Sequence, residues 1–192
     1  MSVFVHERGL CESDSVGRGT RIWGFAHVMH GAVVGIDCNI CGHCFIESGA
    51  RLGDRVVVKN GVQVWSGVTL EDDVFVGPNA TFTNDPRPRA ARPREEVVLL
   101  ATRVAERATI GANATIVCGI EIGAAAFVAA GAVVTRSVPA HALVAGSPAT
   151  RRAWVCDCAL RLGEDLACAC GRRYRLIDEQ SGLEPFDADA RR

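Results

Sequence analysis

The sequence lacks any marked excess of one charge: 21 lysines and arginines stand against 22 acidic residues, a net charge of −1. A polyanionic nucleic acid or an anionic membrane surface therefore has no electrostatic reason to be a partner. A long hydrophobic run is missing too. The longest apolar stretch, Ala124 to Val134, falls short of the roughly 20 residues that span a bilayer. The opening residues, MSVFVHERGL, have no basic segment followed by an apolar one, so the expectation is a soluble, cytoplasmic protein. Without a secretory signal, the nine cysteines are expected to be reduced thiols or metal ligands, not a disulfide framework. What is present is apolar mass. At 48% hydrophobic residues, a chain of 192 can bury one sizeable core and carry one small appendage.

That apolar mass is distributed with a period of six. Counting from Val16, every sixth residue is Val16, Ile22, Val28, Val34, Ile40, Ile46, Leu52, Val58, Val64, Leu70 and Val76, and then Phe82. Four residues after each aliphatic stands Thr20, Ala26, Ala32, Cys38, Cys44, Ala50, Val56, Val62, Val68, Val74 or Ala80, always small or β-branched. An α-helix would scatter such aliphatics around its surface. Two inward positions two apart are the alternation of a short strand, and the glycine-tolerant residues between supply a turn. Each hexad then makes one strand and one corner. Three hexads close a triangular coil of about 18 residues, and coils stack at about 4.8 Å. The beat resumes at Val104, Ile110, Ile116, Ile122, Val128 and Val134. The expected fold is an all-β solenoid over residues 1–153, a parallel β-helix.

Between the two blocks, residues 83–103 (TNDPRPRAARPREEVVLLATR) show no sixfold signal and read as an extended loop. Long ordered loops in compact domains are usually functional. Its Arg87, Arg89, Arg92 and Arg94 form either a solvated basic face or a clamp for phosphate or a neighbouring subunit.

Several stretches resemble the hexapeptide-repeat acyltransferases: Val76-Gly-Pro-Asn-Ala-Thr-Phe-Thr-Asn-Asp85 before the loop, Ile110-Gly-Ala-Asn-Ala-Thr-Ile-Val-Cys-Gly119, and Val138-Pro-Ala-His-Ala-Leu-Val-Ala-Gly-Ser-Pro-Ala149. With Ile22-Trp-Gly-Phe-Ala-His-Val-Met29 and Gly61-Val-Gln-Val-Trp-Ser-Gly-Val-Thr-Leu70, they look like the branch that N-acetylates 3-amino sugars carried on UDP or dTDP. The resemblance runs from about residue 5 to residue 153. It implies a left-handed coil, a homotrimer, acetyl-CoA lying in the groove between adjacent prisms, a nucleotide-sugar substrate and an active site beside the loop.

Residues 18 apart share a face on successive coils, which stacks Asn84 over Ser66, Ser48 and His30, Thr81 over Gln63, Phe45 and His27, and Thr83 over Trp65, Glu47 and Met29. One edge is thereby expected to gather Asn84, Asp85, Gln63, Trp65, Glu47, His27 and His30 beside the loop, with Arg87 and Arg89 reaching the substrate. Acyl transfer from a thioester needs a free amine, donors for the oxyanion and a proton acceptor. Asn84 ranks first, either orienting the amine or donating to the oxyanion; its alternative role is to cap the turn into the loop. Asp85, His27 or His30 can take the proton, although the family implies that the departing CoA thiolate sometimes does so. Trp65 is either a stacking platform or a subunit anchor. For acetyl-CoA, the small residues Ala129, Ala130 and Gly131 let a pantetheine chain approach backbone amides, and Ser147, Arg151 and Arg152 follow where the family meets the adenosine phosphates.

Two cysteine groups read differently. Cys38 and Cys44 occupy inward small-residue slots, so Cys38-x-x-Cys41-x-x-Cys44 is core filler. Cys156, Cys158, Cys168 and Cys170 lie outside the repeat, in a separate module over residues 154–192, and can hold a tetrahedral structural zinc. Three rival functions remain open. A small-molecule O-acetyltransferase shares the prism and would want a histidine base; a hexapeptide carbonic anhydrase would need His27, His30 and His43 to converge on zinc; and a trimeric scaffold would bind no acetyl-CoA.

Overall fold

The structure, a computed structural model, describes residues 2–186; the last six residues of the expected tail module lie outside them. Every regular element among them is a strand, apart from one 3₁₀ turn at Arg94–Glu96. No helix is long and apolar enough to cross a membrane. Two-residue strands stack into three parallel sheets that form the sides of a triangular, left-handed β-helix. The first side runs in parallel from Phe4–Val5 through Arg21–Ile22 and Asn39–Ile40 to Ala142–Gly146, eight strands in all. The second runs from Leu10–Cys11 to Val133–Val134, and the third from Val33–Val34 to Glu121–Ile122.

The sixfold aliphatics are register partners: Ile22 faces Ile40, Ile40 faces Val58, and Val58 faces Val76. From Ile22 onward they are buried, with the small partners Ala26, Cys38, Val56 and Val74 filling the space between. Val16 is only half-buried, because the coil beneath it, which starts at Phe4, is incomplete. Burial raises the Cys38 and Cys44 thiols, Cys44 to about 11. Each donates to a backbone carbonyl, Cys38 to Gly53 and Cys44 to Lys59, both at 3.1 Å, as core thiols should.

The corners follow the same beat. Three residues after the inward aliphatic the backbone enters the left-handed region, at Gly31, Gly49, Gly61 and Gly131 but also at Asp37, Asn79 and Asn113 and even at Phe25, His43 and Arg107. A left-handed non-glycine residue costs about 1–2 kcal/mol. The corner amides help offset it by bonding from rung to rung, as in Asn79 to the Asn60 carbonyl (3.0 Å) and Asn113 to that of Pro78 (2.9 Å).

An ordinary rung is 18 residues long, as between Val57 and Phe75, whereas Phe75 pairs with Thr109 and Thr81 with Thr115, 34 residues on. The loop therefore inserts sixteen extra residues into one coil. It is shorter than the expected 83–103: Thr83 still donates to the Ile116 carbonyl, and the next strand begins at Thr102. The side chain decides this at Thr102, which is buried.

Past the last rung the chain reverses. Ala149–Trp154 pairs antiparallel with Ala142–Gly146, and the tail then forms the hairpin Tyr174–Asp178 and Gly182–Pro185, packed on a small cluster of Cys156, Leu162, Cys168, Tyr174 and Leu183.

Candidate active site

The loop leaves the prism at the corner between the second and third sides, and Asn84 is the residue at that exit. Asn84 is half-buried. Its carbonyl accepts from Leu100 N–H at 2.8 Å, closing the neck of the loop, and its Nδ2 donates to the Ser66 carbonyl one rung below at 3.4 Å. Oδ1 has no hydrogen bond within the described residues, so it is the acceptor this corner presents to an incoming group.

The residues beneath Asn84 are already at work in the corner. Trp65 packs against the core and donates from Nε1 to the Phe82 carbonyl at 2.9 Å. Glu47 accepts Ser66 N–H at 2.7 Å, and Gln63 turns back to the Gly61 carbonyl at 2.8 Å. These bonds hold the platform under Asn84; Trp65, Glu47 and Gln63 all remain partly open to solvent.

The expected convergence of both histidines on Asn84 needs correction. His27 pairs with Phe45, Phe45 with Gln63, and Gln63 with Thr81. His27 thus lies three rungs below the loop exit, about 14 Å away at the usual strand spacing, and the exposed His30 sits on the same rung as His27. Neither reaches a group held at Asn84. His27 Nε2 instead meets Glu12 at 3.0 Å, a contact that holds the Glu12 carboxyl below its ordinary value. Phe45, which sequence reasoning left out of the site, fills the gap: His27, Phe45 and Trp65 form an aromatic ladder with ring centroids 5.4 and 5.8 Å apart. Its signal was the same 18-residue spacing.

Asp85 needs a second correction. Its Oδ1 accepts Arg87 N–H at 2.8 Å and its Oδ2 pairs with Arg92 at 2.6 Å. These contacts, the backbone N–H foremost, hold its carboxyl below the usual range, so it is a poor proton acceptor and an organiser of the loop. Arg92 also donates to the Arg87 carbonyl at 2.9 Å. Arg87 and Arg89 are exposed, and among the described residues the guanidinium of Arg89 bonds to the Pro88 carbonyl.

A sequence profile of the family described as "Hexapeptide repeat of succinyl-transferase" matches residues 31–65 and 102–136. The chain is 45% identical over 178 residues to a dTDP-3-amino-3,6-dideoxy-alpha-D-galactopyranose 3-N-acetyltransferase of Aneurinibacillus thermoaerophilus, covering 91% of this chain and 92% of that enzyme. It belongs to the hexapeptide-repeat acetyltransferases. Among solved structures, a hexapeptide-repeat acetyltransferase of Vibrio cholerae complexed with acetyl-CoA superimposes with a TM-score of 0.58 at 28% identity, over 65% of this chain and 70% of that one. A perosamine N-acetyltransferase of Caulobacter crescentus with CoA and GDP-perosamine shares the fold, with a TM-score of 0.54 at 22% identity, over 79% of this chain and 57% of that one.

In this acetyltransferase the expected donor residues do not lie with Asn84. Ala129, Ala130 and Gly131 form a corner between the first and second sides, whereas Asn84 lies between the second and third. The amides of Ala129 and Gly131 bond to the Val144 and Ala112 carbonyls, both at 2.9 Å, which leaves the N–H of Ala130 as the amide of this corner without a partner among the described residues. Arg151 is likewise engaged, stacked 4.3 Å over Trp154 and paired with Glu179. Ser147 and Arg152 are exposed.

The four tail cysteines are brought together, their sulfurs all within 4.8 Å of one another. His27, His30 and His43 are not brought together within the chain: His43 stacks on Phe25 at the first corner.

Proposed function

We propose that this acetyltransferase moves acetyl from acetyl-CoA to the amine of a dTDP-linked 3-amino-6-deoxy sugar. The observation that carries the reading is the free Oδ1 of Asn84 at the loop exit, in a chain that matches a dTDP-3-amino-sugar N-acetyltransferase over nearly its whole length. Asn84 Oδ1 accepts a hydrogen bond from the amine and so aims the nitrogen lone pair at the thioester carbon. The new C–N bond forms as the C–S bond breaks, and the amine proton leaves with the CoA thiolate. No side-chain base is required, in keeping with an Asp85 held ionised and two histidines three rungs away.

The remaining substrate is long, and the aromatic ladder of Trp65, Phe45 and His27 runs away from Asn84 in the direction its nucleotide would take. Arg87 and Arg89 supply positive charge for the diphosphate from the loop. Since Ala129–Gly131 and Asn84 occupy different corners of one prism, a complete site calls for a neighbouring copy, which supports a homotrimer with the donor lying between prisms. The exposed Val97, Val98, Leu99 and Leu100 at the end of the loop suit contact with that neighbour. The four tail thiols are read as holding one structural zinc, and nine unbonded cysteines suit a reducing, cytoplasmic compartment.

The test is thiol release from acetyl-CoA with a panel of dTDP- and UDP-linked amino sugars. Turnover is expected with a dTDP-linked 3-amino sugar. Silence across the panel with release on simple alcohols would establish O-acetylation instead.

A further inference from the structure

The tail carries a repeat of its own, with a step of twelve. Cys156 N–H bonds to the Leu160 carbonyl and Ala159 N–H to that of Cys156; twelve residues on, Cys168 N–H bonds to Arg172 and Gly171 N–H to Cys168. The flanking bridges Val155–Arg161 and Ala167–Arg173 repeat the step, as do the left-handed turns at Ala159 and Gly171. Two identical knuckles thus face each other, each presenting two sulfurs. Between knuckles, Cys156 lies 3.5 Å from Cys170 and Cys158 lies 3.5 Å from Cys168, sulfur to sulfur. A Cys-x-Cys pair strains a chelate closed within one knuckle. One ion bound by all four sulfurs still closes both of those rings, and the cross-knuckle separations approach the edges of about 3.8 Å of a tetrahedron with metal–sulfur bonds of about 2.3 Å, so the two knuckles place the sulfurs where such an ion would take them.

We propose, resting on the zinc reading above, that this ion is the keystone of a cap that closes the open end of the solenoid, with Tyr174 as a positioning residue for the Cys156 thiolate. A single ion fits. A polynuclear iron–sulfur cluster spreads its ligands wider than 4.8 Å, and Cys158 and Cys170 are exposed, which suits a metal without redox chemistry. Two sulfurs have an N–H donor, Arg172 to Cys170 at 3.4 Å and Cys170 N–H to Cys168 at 3.5 Å, and the Tyr174 hydroxyl, 3.2 Å from Asp157 Oδ2, lies 3.1 Å from Cys156, to which it can turn its proton once that sulfur is a thiolate. On binding, one Zn²⁺ replaces the four thiol protons, which pass to solvent.

The knuckles are wired to the last coil. Tyr174 packs 4.7 Å from the ring of His141, which is buried and bonded through Nδ1 to the Val155 carbonyl at 3.0 Å. Ala140 exchanges backbone bonds with Ser181 and Leu183, each 3.2 Å. This cluster is too small to fold by burial alone, so the metal must supply what the core does not.

Elemental analysis of the purified protein is expected to find one zinc per chain; far less than one, or iron in its place, would overturn the zinc reading. Zinc is then stripped with a chelator under reducing conditions and amide hydrogen exchange is followed. Protection is expected to vanish across residues 140–185, to persist across 22–76, and to return when zinc is added back. Stoichiometric zinc whose removal leaves 138–146 as protected as before would leave the metal site standing and overturn the cap. Tyr174→Phe should still bind one zinc but about tenfold more weakly; unchanged affinity would remove Tyr174 from its positioning role.

Discussion

The solenoid and the tail stay folded by opposite means. In the solenoid each rung buries an aliphatic of every hexad against the rungs on either side, and one continuous core runs from Ile22 to Val144. Stability accumulates from neighbour to neighbour along that core. The tail has only a small cluster of its own, five buried residues of which two are cysteines. There, two knuckles hold their shape by local turns and depend on what joins them. The contrast teaches where each region is vulnerable: the solenoid to anything that puts polarity inside, the tail to anything that removes a ligand or its contact with the last coil.

One pair of substitutions tests this most severely. Ile46 is fully buried in mid-solenoid, and Ile46→Asp places an unpaired carboxylate where no donor exists, at a cost of more than about 4 kcal/mol. Against a total stability of about 5–15 kcal/mol, loss of the β-type circular dichroism of the whole chain is expected. The same change at Leu183, also buried but in the tail, is expected to release the tail and leave the solenoid spectrum intact. Equal collapse of both variants would mean that tail and prism are one cooperative unit.

Asn84→Ala comes next. Losing a group that acts at the reacting centre costs about 10²–10³-fold in kcat, while the melting temperature should hardly move, since among the described residues the side chain makes one bond, at 3.4 Å to Ser66. A kcat within tenfold of the parent, measured by thiol release, would shift the role of Asn84 to shaping the turn.

Much of this was legible in the residues. The sixfold beat located the strands, the core and the interruption at the loop, and the 18-residue spacing put His27, Phe45, Gln63 and Thr81 in one column. A column, however, records who stacks on whom and not how far apart the ends are, so residues three rungs apart read as neighbours. The engagement of Asp85 with Arg92, and of Arg151 with Trp154 and Glu179, depends on how the loop and the tail fold back, and neither segment has a hexad pattern from which that could be read. The twelve-residue step of the knuckles was present in the sequence but carried by backbone hydrogen bonds, which residue identity does not display.

The loop gives a smaller, pH-dependent effect. The Asp85 carboxyl is held below its ordinary range by Arg87 N–H and then by Arg92. The order it contributes is therefore complete above the usual carboxylate value of about 4 and is lost only as pH falls through its depressed value. At neutral pH the ionised form prevails, and Asp85→Asn mimics the acid state. Cleavage by trypsin after Arg89, in the exposed part of the loop, is expected to quicken several-fold in the variant at pH 7.5. Unchanged cleavage would mean that the neck bond from Leu100 to Asn84 alone holds the loop.

The smallest effect belongs to His27, and it separates chemistry from binding. A base at the reacting amine would, when removed, depress kcat by about 10²–10⁴-fold. A side chain about 14 Å down the column, held by Glu12 and set edge-on to Phe45, can affect only what the far end of the substrate touches. His27→Gln is therefore expected to leave kcat within about twofold and to raise KM for the nucleotide sugar a few-fold, with KM for acetyl-CoA unmoved. Because the ring stands beside the ladder and not beside Asn84, a collapse of kcat would mean that the substrate lies the other way along the column, with its amine at the lower rungs.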